Sequence, residues 1–482
     1  MFTFSHFYRI IVLILLLTSI GTLFADDKEK KYPVSEIPLV LRLKSHAILR
    51  VDEQYFTVIS EGKGKFTRKY AYTILDEKGE ELNEIELYYS SLNKINSLTG
   101  TLYDQYGEEI GSLKKSDIAD KSVSDGFSIA NDSRMKVASL SAQKYPYTVE
   151  YEYEKTYDGL MFYSGWYPQE ENYVGIEKAF YEVSMPKNME LRYKSYNISK
   201  EVSKREEENQ NIYRWSVSNV EPFQGEPYGA DPLYPNVLLA PSQFSMGKYK
   251  GDMSTWKSFG EWQNLLNADK NDLSEETRNK MKSLVKNTDS QVEKVRLIYE
   301  YLQSKVRYVS IQLGIGGWQP FEASSVDEKS YGDCKALFNY TKCLLEAVGI
   351  ESYYTLVYAG SYPREVFEDF PASRFNHIIL CLPLARGTVW LECTSQTAFG
   401  YMGDFTGDCN VLLVTPEGGK LVRTPYYGKN ENVLSRYAEI NIQLNGDAQA
   451  NITTQYQALQ ENKLPFVVNY SPDEQKNGST TL

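Results

Sequence analysis

Histidine is scarce in this chain: His6, His46 and His377 are the only three in 482 residues. None lies in a His-Glu-x-x-His stretch, and no two cysteines have Cys-x-x-Cys spacing, so no metal site and no cofactor is expected. Basic charge is also short. Lys and Arg number 52 against 64 Asp and Glu, a formal net charge of −12, which excludes nucleic acid as a partner because phosphate backbones need a basic surface. With 42% hydrophobic and 24% charged residues, neither a multispanning membrane protein nor a wholly disordered chain fits. Cysteine is confined to Cys334, Cys343, Cys381, Cys393 and Cys409. An odd count leaves at least one thiol free or paired between molecules, and spacing leaves the bridging of the last four open.

The length implies two or three domains. Arg9, the apolar run Ile10 to Leu17 and the smaller residues to Ala25 read as a cleavable secretory leader, residues 1–25, with Ala25 the last residue removed. An uncleaved anchor helix is the competing reading. No cysteine sits at the boundary to hold a lipid. The expected product is exported, periplasmic or extracellular, with no stable membrane insertion after cleavage.

Residues 26–220 read as a β-rich domain. Tyr147, Val149, Tyr151 and Tyr153 alternate with Thr148, Glu150, Glu152 and Glu154, the pattern of a strand with one buried face. Short runs at His46 to Val51, Gln54 to Ser60, Phe66 to Leu75, Lys178 to Met185, Glu190 to Tyr196 and Asn211 to Val217 predict further strands, together a β-sandwich-like module. The 39 tyrosines suit half-buried pleated faces rather than marking a sugar-binding surface. Five prolines between Glu221 and Pro241 predict an extended linker or strap, with the linker bounded at 221–245.

Helical patterning follows. Trp256, Phe259, Trp262 and Leu265-Leu266 make one apolar stripe, and Val292, Val295, Tyr299, Leu302 and Val306 another; Ser274 before Glu275-Glu276 predicts a capped start. After Leu421 strands return. A hairpin is expected from Tyr437 to Tyr456 around Asn445-Gly446-Asp447, within a C-terminal segment 426–482 ending in a polar tail. A lone hairpin is rarely stable, so it must join an earlier sheet or belong to a shortened module.

The chemistry concentrates at Tyr331-Gly332-Asp333-Cys334, which opens a helical stretch closed by Gly349. A thiol is a poor nucleophile until ionised, and exposed amides at a helix start favour the thiolate. Leu337, Phe338, Thr341, Leu344, Leu345 and Val348 share one face, burying the helix with Cys334 at its entry; Cys343 lies about half a turn away. His377 opens the apolar run Ile378 to Leu382, and Glu392 follows Val389-Trp390-Leu391 across a turn near Ala385-Arg386-Gly387. A thiol, an imidazole to share its proton and a carboxylate to orient that imidazole are what cysteine acyl transfer needs. The hairpin register that would join His377 to Glu392 is not readable from the chain.

Tyr331-Gly332-Asp333-Cys334-Lys335 with Ala347-Val348-Gly349-Ile350, then Phe375-Asn376-His377 and Trp390-Leu391-Glu392-Cys393-Thr394, resemble the cysteine, histidine and acid motifs of the transglutaminase-like superfamily. The resemblance spans about Ser254 to Arg423. It implies an α+β protein with a papain-like core at 246–425 and a short or truncated C-terminal β segment. Asn96 to Asp104 resembles an uncharacterised domain that precedes this core in many exported bacterial proteins. The family's acid is usually aspartate, whereas glutamate stands at 392. The backbone N–H of Cys334, with Gln319 or Trp318, is the candidate oxyanion donor. The expected function is an exported cysteine-dependent peptidase or amidase acting on a peptide or protein substrate, cell-envelope peptide included. A cross-linking transglutaminase and a non-catalytic scaffold of the same fold are the rivals.

Overall fold

The computed structural model describes residues 30–123, 128–225, 234–360 and 366–463. The leader expected at 1–25, Pro227 and Pro232 of the proline-rich segment, and the polar tail lie outside the described residues. Among the described residues no helix is long and apolar enough to cross a membrane.

Mixed α+β architecture begins with a large N-terminal sheet. Its strands are β1 (Ala47–Ser60), β2 (Lys63–Ile74), β3 (Asn93–Tyr103), β4 (Glu109–Ser112), β5 (Tyr147–Asp158) and β6 (Val174–Pro186). After β7 (Leu191–Tyr196), which lies outside this sheet, come β8 (Ser203–Glu207) and β9 (Gln210–Val220). The order is β8-β9-β6-β1-β2-β5-β3-β4. Only β1 and β6 run parallel; every other neighbour is antiparallel.

The two runs expected at 46–51 and 54–60 form one continuous strand. Asp52 between them is fully buried, held by Arg68 at 2.8 Å and by the Gln54 amide, so a charge in mid-strand does not end it. The tyrosine strand β5 differs from expectation in having both faces covered over its first half. Thr148 bonds Thr73, and Glu150 accepts from the Tyr32 hydroxyl.

Smaller sheets cover this one. Strands 84–89, 119–122 and 134–139 make a three-stranded sheet, and β7 pairs with β10 (Asn236–Pro241). Ile85, Leu87, Leu191, Val237 and Leu239 from these sheets complete the core around Tyr151, Tyr181 and Trp215. The proline-rich segment thus carries a strand, beginning just after Pro235, rather than only a linker.

The second body packs helices α1 (Trp256–Asn267), α2 (Glu275–Leu284), α3 (Gln291–Lys305) and α4 (Cys334–Glu346) with a five-stranded antiparallel sheet. That sheet comprises β11 (Tyr353–Val357), β12 (His377–Leu384), β13 (Gly387–Leu391), β14 (Asn410–Thr415) and β15 (Gly418–Arg423), ordered β13-β12-β11-β14-β15. Thr255, Ser274, Ser290 and Asp333 cap the four helices. On α1 the apolar stripe ends at Leu266; Leu265, one residue off the helical period, faces solvent. Among the described residues, β16 (Leu434–Ile442) and β17 (Ala448–Tyr456) pair only with each other and are almost wholly exposed.

The bodies meet along several seams. Leu238 and Ala240 of β10 pack on Phe370 and Ala372, in the segment leading to His377. There Lys194 pairs with Asp369 at 2.6 Å, and Arg192 donates to the carbonyls of Pro371 and Pro241. At another seam, residues 128–131 run parallel to 310–312.

Helix α1 lies on β15 backbone to backbone. A Cβ on Gly260 would meet Gly419 N at 2.1 Å, and one on Gly419 would meet Trp256 O at 2.1 Å. Neither neighbour is a side chain that can rotate away. Gly260→Ala is expected to destabilise the protein by at least about 2 kcal/mol, read as a lowered urea midpoint, with exposed Leu265→Ala as the near-neutral control.

Candidate active site

The site is built from one helix start and one hairpin. Asp333 caps α4, its Oδ1 accepting from Ala336 N at 2.9 Å. That places Cys334 as the first helical residue, where its N–H has no intrahelical acceptor. The other Asp333 oxygen lies 2.6 Å from Lys335 Nζ, with both side chains sealed from solvent. Lys335 therefore offsets the capping carboxylate's charge beside the thiol. The helix is buried on nearly every face, more than a one-sided stripe implies, and Cys343 is as buried as its neighbours.

His377 is the first residue of β12, opposite Val357. In the hairpin Leu380 faces Leu391 and Cys381 faces Trp390. One further step sets Glu392 opposite Ile379, on the same face as His377 two residues earlier. His377 Nε2 and Glu392 Oε2 are 2.8 Å apart. The other carboxylate oxygen accepts from the N–H (2.9 Å) and hydroxyl (2.6 Å) of Thr394, and the Glu392 carbonyl accepts from Tyr299. With Nε2 engaged, Nδ1 is the nitrogen left for Cys334, which lines the same cleft. Phe338 and Phe405 flank the ring at 5.9 and 5.5 Å.

Burial alone would push the His377 pKa down. The Glu392 charge and the bonds to Cys334 and Glu392 outweigh it and raise the value from 6.5 to about 10. Burial would likewise raise Glu392, but the His377 charge and the bonds from His377 and Thr394 hold it below the usual carboxylate range. At neutral pH the pair is imidazolium and carboxylate.

These groups open on a cleft of about 390 Å³ lined by Cys334, Lys335, His377, Phe375, Trp318 and Phe162, among others. A larger cavity, about 770 Å³, lies between Tyr353, Trp390 and Lys420. It shares no lining residue with the cleft and has no histidine in its lining, so size does not locate the chemistry.

Of the two oxyanion candidates, Trp318 lines the cleft. Gln319 does not: its amide donates to the Tyr249 hydroxyl (3.2 Å) and the Leu266 carbonyl (3.1 Å). Gln263, not singled out from the sequence, is buried in the cleft wall and donates to the Trp318 carbonyl at 3.2 Å, tying α1 to that loop. Its only signal was a polar residue directly after Trp262. Lys335 was passed over although it follows Cys334.

All five cysteines are unpaired. Burial raises Cys343 and Cys381 to about 12, and raises Cys393 and Cys409 as well. Among the described residues no cluster of three His, Cys, Asp or Glu could hold a metal.

Residues 60–224 match a family described as a domain of unknown function with solved structure, DUF3857. The N-terminal β region carries a DUF3857 domain. No curated protein matches the chain. Among solved structures, a "putative protease" from Parabacteroides distasonis ATCC 8503 shares the fold at a TM-score of 0.58 and 12% identity, covering 79% of this chain and 72% of its own. A "putative cysteine protease" from Cytophaga hutchinsonii is 10% identical over 82% of this chain and 90% of its own, at a TM-score of only 0.23. The likeness at 0.58 extends beyond the DUF3857 domain, which is about a third of the chain's length, into the body carrying Cys334.

Because the folded pKa of His377 lies above its unfolded value, the stabilisation from its pair with Glu392 is complete below pH 6.5 and is lost as pH rises toward about 10. Urea midpoints between pH 6 and 10 should therefore fall more steeply for the wild type than for Glu392→Gln. Parallel profiles would mean the pair is not ionised.

Proposed function

We propose that this protein is an exported cysteine-dependent acyl-transfer enzyme of the transglutaminase-like superfamily, acting as a peptidase or amidase. The observation that carries the reading is one imidazole held by a carboxylate at 2.8 Å and sharing its cleft with a thiol at a helix start. The three motifs that resemble the superfamily supply those groups, and transglutaminase-like families commonly follow DUF3857. Glutamate in place of the family's usual aspartate does not weaken the reading, since the 2.8 Å contact is made despite the longer arm.

In this mechanism Cys334 attacks a carboxamide carbonyl as a thiolate, its proton held on His377, and the oxyanion forms near the free N–H at the start of α4. His377, held as an imidazolium, donates its Nδ1 proton to the leaving amine as the C–N bond breaks. An acyl-thioester remains on Cys334. The now neutral imidazole takes a proton from the incoming water or amine, which attacks the thioester and releases Cys334. Glu392 keeps the ring in one orientation and stabilises its positive charge. Water as acceptor gives hydrolysis; a lysine-like amine gives cross-linking.

Incubating the purified protein with peptide and glutamine-amide libraries, with and without an added primary amine, should show carboxamide or peptide cleavage that Cys334→Ala abolishes. Amine incorporation exceeding hydrolysis would reassign it as a cross-linking enzyme. Unchanged turnover in Cys334→Ala would overturn Cys334 as the nucleophile, and no turnover at all with a Cys334 inert to iodoacetamide would replace the catalytic reading with a scaffold.

A further inference from the structure

The cleft at Cys334 does not end within the catalytic body. A second cavity of about 320 Å³ adjoins it, and the two share Phe162, Ser373, Phe375 and Asn376 in their walls. One side of the second cavity is the segment 371–376 that leads into His377. The opposite side is segment 161–167, within the residues matched by DUF3857, backed by Leu239 of β10. The domain of unknown function thus forms one wall of a continuous groove running away from the nucleophile.

Its lining is mixed: Met161, Phe162, Leu239, Met253 and Phe375 give it an apolar side, with Ser373, Arg374 and Asn376 beside them. Phe162 and Tyr167 are 47% and 39% exposed, so both rings are accessible from solvent. Phe162 lies 5.8 Å from Trp318 between ring centroids, so rings from the two bodies stand together at the mouth of the catalytic cleft.

Both walls are held rigidly. Trp166 exchanges two backbone bonds with Val237 (2.9 and 2.8 Å), and the Tyr181 hydroxyl donates to the Ser164 carbonyl. Across the groove, Arg192 and Lys194 fasten Pro371 and Asp369, and the Asn376 amide exchanges two bonds with the backbone of Ala359. A groove held open in this way avoids the ordering cost that weakens flexible sites. Its volume sits at the lower end of small-ligand pockets, roughly 300 Å³, enough for one large side chain rather than a whole ligand.

We infer that the DUF3857 domain supplies a specificity subsite of the proposed enzyme: the groove between 161–167 and 371–376 receives a bulky apolar side chain of a peptide substrate, flanking the carbonyl presented to Cys334. The inference rests on the catalytic reading for its substrate class, but the subsite can be tested separately from turnover.

Otherwise identical fluorogenic peptides carrying Phe, Leu, Gly or Asp at the positions flanking the scissile bond would be compared by kcat/KM. Phe or Leu should exceed Gly and Asp by at least about tenfold, the equivalent of about 1.4 kcal/mol, well within what burying one such side chain supplies. Phe162→Ala and Tyr167→Ala, both at partly exposed positions, should reduce that preference to within about threefold. Tyr106→Ala, an exposed ring elsewhere on the DUF3857 domain, should leave the preference intact. Turnover with a preference that survives both variants, or with none, overturns the subsite and spares the catalytic reading. The same peptides titrated by fluorescence anisotropy against Cys334→Ala protein cover the opposite case. Apolar-selective binding that Phe162→Ala removes, without turnover by the wild type, upholds the subsite and overturns the catalytic reading; unselective binding overturns the subsite.

Discussion

A buried imidazolium beside a buried carboxylate is the constraint on which the second body depends. Desolvating either group alone costs several kcal/mol, so each is tolerable only in the presence of the other. Their contact needs the β12–β13 hairpin in a single register, because a slip of one residue would turn Glu392 to the other face of the sheet. It also needs Thr394 and Tyr299 to hold Glu392 from behind, which ties the hairpin to α3. The helix α4 completes the arrangement by delivering Cys334 to the ring's remaining nitrogen. Hairpin, α3 and α4 are thereby locked together by one ion pair.

The electrostatics around the thiol are balanced rather than simply positive. Asp333 is needed as a cap, yet its charge adjoins the sulfur. Lys335 takes up the oxygen that the cap does not use. The remaining four thiols sit where burial keeps them protonated, so chemical differentiation among five cysteines comes from surroundings, not from composition.

Local signals carried much of this into the sequence. The capped start before Cys334, the apolar run after His377, the turn before Glu392 and the helical stripes are all patterns within about ten residues of each other. The legible portion stops where contacts become distant. Nothing near Glu392 declares its register, which is decided by the pairing of Leu380 with Leu391. Asp52 reads as a strand break until Arg68, 16 residues on, neutralises it. Gln319 looks like an oxyanion donor by position but is drawn off by Tyr249, 70 residues earlier. Gln263 and Phe162 matter only because the fold brings α1 and the DUF3857 segment to the same cleft.

The fastening of residues 369–372 by Arg192 and Lys194 has a consequence for how such a chain can evolve. The segment that ends at His377 is anchored to a different domain from the one that supplies Cys334. Recombination at the boundary would not deliver an interchangeable module: a new N-terminal partner would have to reproduce those anchors or leave the approach to His377 unsupported. Lineages should then diversify by point changes along the groove while inheriting the two domains as a unit.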